Sequence, residues 1–191
     1  MTHISIIGTG NMGQAISGVA SKGGNTVELL GRTDAGKPVT GEIVILAVPY
    51  PALPDVLAAY GHQLAGKVVV DITNPVNFQT FDSLTVPADS SAAAELAASL
   101  PQSQVVKAFN TNFAATLASG AAGQLPTTVL IAGDDSQAKS LLADIVSAAG
   151  LRAIDAGALS RARELEAAGF LQLTLAAQGK LPWTGGLTVT G

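Results

Sequence analysis

The chain has 191 residues, of which 48% are apolar and only 13% charged. That composition excludes a disordered chain, and the length suits one well-buried domain better than two. A net charge of −4 without any Lys/Arg cluster excludes a basic nucleic-acid footprint, and the absence of cysteine excludes a disulfide framework, a thiolate nucleophile and a zinc–thiolate site.

Residues 4–7 open the chain as a buried-strand candidate. They start so close to Met1 that no secretory leader fits before them. The longest apolar runs, 43–48 and 167–177, are too short to span a bilayer. A cytoplasmic protein without membrane contact is expected.

The first strand runs directly into Gly8-Thr9-Gly10-Asn11-Met12-Gly13, a G-x-G-x-x-G pattern. Met12, Ala15, Ile16, Val19 and Ala20 then recur at helical spacing, and Gly23-Gly24 stops that helix. A glycine pattern alone is weak, but a buried strand before it and an amphipathic helix after it are the context that dinucleotide binding demands. The first glycine permits the turn, the second lets backbone approach a pyrophosphate, and the third lets the helix pack close to the strand. The free N–H groups of the helix N-terminus face the anion.

The second strand candidate, 27–30, ends at Gly31-Arg32-Thr33. NAD-binding chains usually carry an acid at this tip to accept from the ribose hydroxyls. Glu28 falls inside the strand and Asp34 lies beyond the tip. Gly31 leaves space, Arg32 can pair with a 2′-phosphate through its planar fork, and Thr33 can donate from its hydroxyl. Lys37 could add charge from the following loop. NADP(H) is therefore expected as the cofactor. Only about a dozen residues separate this strand from the next, too few for a crossover helix and another strand, so 34–41 is expected to be a shortened loop.

Further strand candidates follow at 43–48, 68–72, 105–109, 129–132 and 152–154, with helix candidates at 52–60, 90–99, 112–120 and 136–148. This alternation predicts an α/β fold: a Rossmann-type, doubly wound, mostly parallel sheet. A helix is expected at about 160–178, although Phe170-Leu171-Gln172-Leu173-Thr174-Leu175 also alternates like a strand. A tail containing Trp183 follows. The chain is thus expected to be a single NADP-binding domain over 1–191. Its short C-terminal helical segment and tail, from about 158, would pack on the sheet or on a second subunit in a homodimer.

Ligands in such sheets lie outside the carboxyl ends of the strands. Those ends read Ala47-Val48-Pro49-Tyr50-Pro51, Thr73-Asn74-Pro75 and Asn110-Thr111-Asn112, all small, polar or turn-forming. No Ser–His–Asp set, carboxylate pair or metal-ligand cluster is legible, and His3 and His62 fall away from these ends. Lys107 is the one candidate proton donor, with a structural or solvent-facing lysine as the competing reading. No catalytic acid or base is therefore assigned, and no metal. Hydride transfer to a flavin-like ring needs stacking and distance more than an acid, so a flavin or deazaflavin acceptor is favoured over a ketone.

Seven motifs stand in one familiar order: the glycine loop, Gly31-Arg32-Thr33, Ala47-Val48-Pro49, Asp71-Ile72-Thr73-Asn74-Pro75, Lys107-Ala108-Phe109-Asn110-Thr111, Gly133-Asp134-Asp135 and Asp155-Ala156-Gly157. In these the chain resembles the NADPH-dependent coenzyme F420 reductases and their relatives, among them the reductase domains of the STEAP ferric reductases. The resemblance implies a Rossmann fold and hydride transfer between NADPH and F420 or a flavin. It implies that Thr9, Gly10, Asn11 and Met12 hold the pyrophosphate and that Arg32 holds the 2′-phosphate. Ala47, Val48, Pro49, Asn74 and Ala108 would line the nicotinamide side, with Pro75 beside them. The short 34–41 region and the glycine- and threonine-rich C-terminus depart from the family pattern. The glycine loop also resembles that of pyrroline-5-carboxylate reductase and the β-hydroxyacid dehydrogenases, but those enzymes need a large helical C-terminal domain, and the few residues after Asp155 make that reading the less expected one. The other reading is non-catalytic: an NADP(H)-binding redox sensor or partner-docking protein.

Overall fold

The computed structural model describes residues 1–189. Its core is a seven-stranded sheet in the order β2-β1-β3-β4-β5-β8-β9. The strands are β1 (His3–Ile7), β2 (Thr26–Leu30), β3 (Ile43–Leu46), β4 (Val68–Asp71), β5 (Gln104–Lys107), β8 (Thr128–Gly133) and β9 (Arg152–Gly157). A small hairpin, β6 (Ala121–Ala122) with β7 (Leu125–Pro126), stands apart from it. Every pairing in the large sheet is parallel except β5 with β8. This is the Rossmann-type, mostly parallel α/β sheet that the strand–helix alternation predicts.

β2 is an edge strand: no strand forms between β2 and β3. After β2 the chain makes a 3-10 turn at Arg32–Asp34 and returns to β3 beside β1. The 34–41 segment is therefore the short loop expected from its length. It is tied down by Glu28, whose carboxylate accepts from Ser5 Oγ and from the Thr40 N–H (3.0 Å) and hydroxyl (2.9 Å). Glu28 is thus used for loop anchoring at mid-strand, away from the tip of β2.

Among the described residues, six α-helices pack around the sheet: α1 (Asn11–Lys22), α2 (Leu53–Tyr60), α3 (Ala92–Ser99), α4 (Ala114–Ser119), α5 (Ser136–Ala148) and α6 (Ala162–Ala177). One apolar cluster joins Ile4, Ile6, Ile43 and Ile45 to Ile16 and Val19 of α1 and to Leu142 and Ile145 of α5. A second joins Ile7, Val44, Leu46 and Val69 to Leu53 and Val56 of α2 and Leu96 of α3. Strands buried on both faces read as unbroken apolar runs, which is why β1, β3 and β4 are so legible.

The C-terminal segment is helical and not a strand. Leu165, Gly169, Gln172 and Ala176 are buried at helical spacing, and this inward row outweighs the local alternation. Among the described residues, no helix is long and apolar enough to cross a membrane.

Two of the sequence motifs build the frame. Asp135 caps α5 by accepting the Ala138 N–H at 2.8 Å, and Asp134 accepts the Leu159 N–H at 2.9 Å. Asp155 takes both the Lys139 ammonium and the Gly157 N–H at 2.8 Å, and the lysine beside it holds its carboxyl below the usual range.

Candidate functional site

The carboxyl ends of the five strands from β2 to β5 through β1 are in register. Leu30 pairs with Ile7, Ile7 with Leu46, Leu46 with Asp71 and Asp71 with Lys107. The next residue in each strand therefore falls in one row: Gly31, Gly8, Ala47, Ile72 and Ala108. The chain leaves the ladder here, so β3, β4 and β5 end one or two residues earlier than their apolar runs.

Sterics fix the glycine loop. Gly8 has φ +121°, and a Cβ there would overlap the Ala47 carbonyl oxygen; a Cβ on Gly13 would overlap the Gly8 carbonyl oxygen. Those two glycines are demanded by the protein's own packing. Gly10 is different. It has φ −73°, an ordinary value, and a Cβ there would meet nothing within 4 Å. It caps α1 without any side-chain hydrogen bond, so no side chain supplies the acceptor that the first-turn N–H groups lack. Nothing internal requires glycine at this position, whereas an anion approaching those N–H groups would.

The tip of β2 adjoins this loop. A Cβ on Gly31 would lie 3.5 Å from the Thr9 methyl group, so the two turns touch. Asp34 is engaged within its own turn: it accepts the Gly31 N–H at 2.7 Å and pairs with Lys37 at 2.6 Å. Those contacts hold the Asp34 carboxyl below its ordinary range. Lys37 is thereby committed to Asp34. Arg32 and Thr33 are exposed beside the glycine loop, and among the described residues Arg32 forms no ion pair.

A cleft of about 690 Å³ opens from this edge. It brings together Gly10, Asn11, Met12, Ala47, Val48, Pro49 and Asn74 from the sequence-predicted set. Gly8 and Thr9 lie in the turn at its end. Gly31, Arg32 and Thr33 stand next to that turn and do not line the cleft. Pro75 and Ala108 are buried and do not line it either.

The remaining walls come from residues that sequence reasoning did not assign: Tyr50, Phe78, Phe109, Phe113, Leu173 and Trp183, with Thr73, Asn110 and Asn112. Phe78 and Trp183 sit in a long loop and a tail, where no periodicity marks them. Tyr50, Asn110 and Asn112 were visible as strand-end residues, and that position was the only signal they carried.

Polar atoms within this lining lack partners. Asn74 and Asn110 bond to each other: Asn74 Nδ2 donates to the Asn110 carbonyl at 2.8 Å, and Asn110 Nδ2 to Asn74 Oδ1 at 2.9 Å. Gly169 of α6 permits this pair, since a Cβ there would collide with Asn74 Oδ1. Asn112 Nδ2 donates to the Thr128 carbonyl at 2.9 Å, which fixes its orientation. Thr73 Oγ1, Asn110 Oδ1 and Asn112 Oδ1 remain buried without a hydrogen bond, an arrangement that costs stability unless a ligand or water completes it. Phe109, at the turn between β5 and Asn110, holds φ +62°, a strained value of the kind found at binding sites.

Lys107 is not in the cleft. It is fully buried, and its ammonium donates to Asp71 Oδ2 at 2.8 Å, Glu166 Oε1 at 2.8 Å and the Thr73 carbonyl at 2.6 Å. Glu166, from α6, also accepts the N–H of Ala92 at 2.9 Å and Ala93 at 3.3 Å, where α3 begins. Burial pushes the Glu166 carboxyl above its usual range against the pull of Lys107. Of the two readings of Lys107 the structural one stands: it locks β4, β5, α3 and α6 together. Tyr50 is a weak acid, because burial and its bond to Glu95 (2.6 Å) push its hydroxyl up to about 12.

Residues 32–75 match the family model described as NADP oxidoreductase coenzyme F420-dependent. The F420-dependent NADP reductase of Methanocaldococcus jannaschii is 30% identical over 148 residues, which is 75% of this chain and 66% of that protein. Its counterpart from Methanothermobacter marburgensis is 32% identical over 146 residues, 73% of this chain and 65% of that protein. The chain thus spans just under two thirds of the length of these archaeal relatives. The metalloreductase STEAP3 of Rattus norvegicus is 36% identical over 126 residues, 66% of this chain and 24% of that protein. In fold, the chain superposes over its full length on the whole of an Arthrobacter sp. FB24 protein, provisionally described as an F420-dependent NADP reductase, with a TM-score of 0.85 at 23% identity. By these matches, and by the ordered motifs that carry them, the chain is similar over about three quarters of its length to the coenzyme F420-dependent NADP reductases.

Proposed function

We propose that residues 1–191 act as one NADP(H)-binding unit that passes hydride between NADPH and a planar deazaflavin (F420) or flavin acceptor. The observation that carries this reading is the open space at Gly10, framed by uncapped amides, beside an exposed and unpaired Arg32.

The residues present fit NADP(H). The Thr9 to Met12 turn would receive the diphosphate, and Arg32 with Thr33 the 2′-phosphate. Ala47, Val48, Pro49 and Asn74 border the nicotinamide end. When bound, NADPH supplies a hydride from its nicotinamide ring. The chain's own part is to orient that ring with backbone and small side chains, and to exclude water with Met12, Val48 and Phe113. Neither Lys107 nor Tyr50 is free to donate a proton in the cleft, since Lys107 is sealed in its ion triad and the Tyr50 proton is held by Glu95. An acceptor whose reduction needs no protein acid suits such a site. We place this work in the cytoplasm. Pairing of two copies through the outer face of α6 is supported by Leu171, which is 56% exposed there.

The same lack of an acid in the cleft favours a second reading, an NADP(H)-binding redox sensor or partner-docking protein. Purified protein given NADPH with F420 or a free flavin separates the two. Loss of absorbance at 340 nm is expected. Tight NADPH binding with no such loss for any of these acceptors would select the sensor.

A further inference from the structure

The likeness to the family rests on the strand ends, yet part of the cleft is built by the tail that follows α6. After Ala177 the chain turns back and is fastened to its own surface. The Leu187 N–H donates to Gln172 Oε1 at 2.6 Å, the Thr188 hydroxyl to the Pro126 carbonyl at 3.1 Å, and Arg152 to the Val189 carbonyl at 2.7 Å. Earlier in the same tail Trp183 lines the cleft, with its ring centroid 4.7 Å from that of Phe113 at a tilt of 59°.

Trp183 remains 53% exposed. It is the single tryptophan of a chain that is 4% aromatic, and it is spent on a rim and not in the core. Phe78, from the long loop after β4, is likewise 53% exposed and is backed edge-on by Phe81 at 5.5 Å. The cleft therefore carries two half-uncovered aromatic faces, each supported by a second aromatic ring. Its buried polar atoms, Asn112 Oδ1 and Thr73 Oγ1, lack partners and would accept from N–H groups at a ring edge.

We propose that Trp183 is a specificity-determining residue: the tail presents it as the wall against which the acceptor's ring stacks. This rests on the hydride-transfer reading above. Flat heteroaromatic rings with N–H at one edge would be retained, and small aliphatic carbonyl or imine compounds would find no matching surface. Aromatic stacking of a single ring supports an effect of roughly tenfold on acceptor affinity.

The test titrates riboflavin and, separately, F420 into NADP-loaded full-length protein, reading ligand fluorescence. Wild type should quench the bound ring saturably. Trp183→Ala should raise the dissociation constant for the ring about tenfold, while Trp183→Phe should stay close to wild type. Calorimetry should give all three proteins the same affinity for NADPH, since Trp183 comes from the tail and belongs neither to the glycine loop nor to the tip of β2. Equal ring affinity in wild type and Trp183→Ala would overturn the assignment, as would wild type binding neither ring, or Trp183→Ala losing NADPH as well. Absence of heat with NADPH in wild type would instead overturn the cofactor reading.

Discussion

At Gly10 and Arg32 the chain leaves two features that its own packing does not account for. Gly8 and Gly13 are held by clashes with carbonyl oxygens, so their substitution would injure the fold before it injured binding. Gly10 has ordinary backbone angles and free space around it. Gly10→Ala should therefore leave the melting temperature unchanged or slightly higher, through a less flexible unfolded chain. It should weaken NADPH at least tenfold, about 1.4 kcal/mol, because the methyl group occupies the diphosphate's approach. Paired thermal melts and calorimetry check both halves. Arg32→Ala should cost NADPH about 1.5–3 kcal/mol, the range of a charge-assisted hydrogen bond, and barely touch NADH. Equal losses for both would contradict the role given to Arg32. Gly10 is legible in the sequence because a strand, a glycine turn and a helix follow one another at fixed spacing, and Arg32 because it stands just past the tip of β2. Phe78, Trp183 and the Asn74–Asn110 pair are not, since each takes its place from long-range packing.

Among the elements, the ion triad fixes how α6 closes on the sheet. Lys107 pairs with two buried carboxylates, and the N-terminus of α3 contributes further positive character at Glu166. Lys107→Met should lower stability by about 3–5 kcal/mol near pH 7.5, because it leaves carboxylates buried without their counter-ion. The loss should shrink on acidification. Glu166 already sits above its ordinary range through burial, and removal of Lys107 would raise it further. Between the unfolded and folded values the native state then binds more protons than the unfolded one, so unfolding free energy rises as pH falls through that window. Urea melts at about pH 7.5 and 5 read the difference directly; a loss that grows towards pH 5 would contradict it. The existence of all seven large-sheet strands and the helices between them could be read from apolar runs and helical spacing. The antiparallel entry of β8 could not, because an apolar run carries no direction. The β6–β7 hairpin was too short to mark itself.

For the molecule as a whole, the register of β2, β1, β3, β4 and β5 turns separate strand-end motifs into one continuous edge. The missing crossover after β2 shortens the sheet on the side next to Arg32, and the tail adds Trp183 to the wall of the cleft. Calorimetry of the unmodified protein with NADPH and with NADH tests the central claim most directly. One site per chain is expected, with NADPH bound at least tenfold more tightly than NADH. No heat with either, or a preference for NADH, would contradict it.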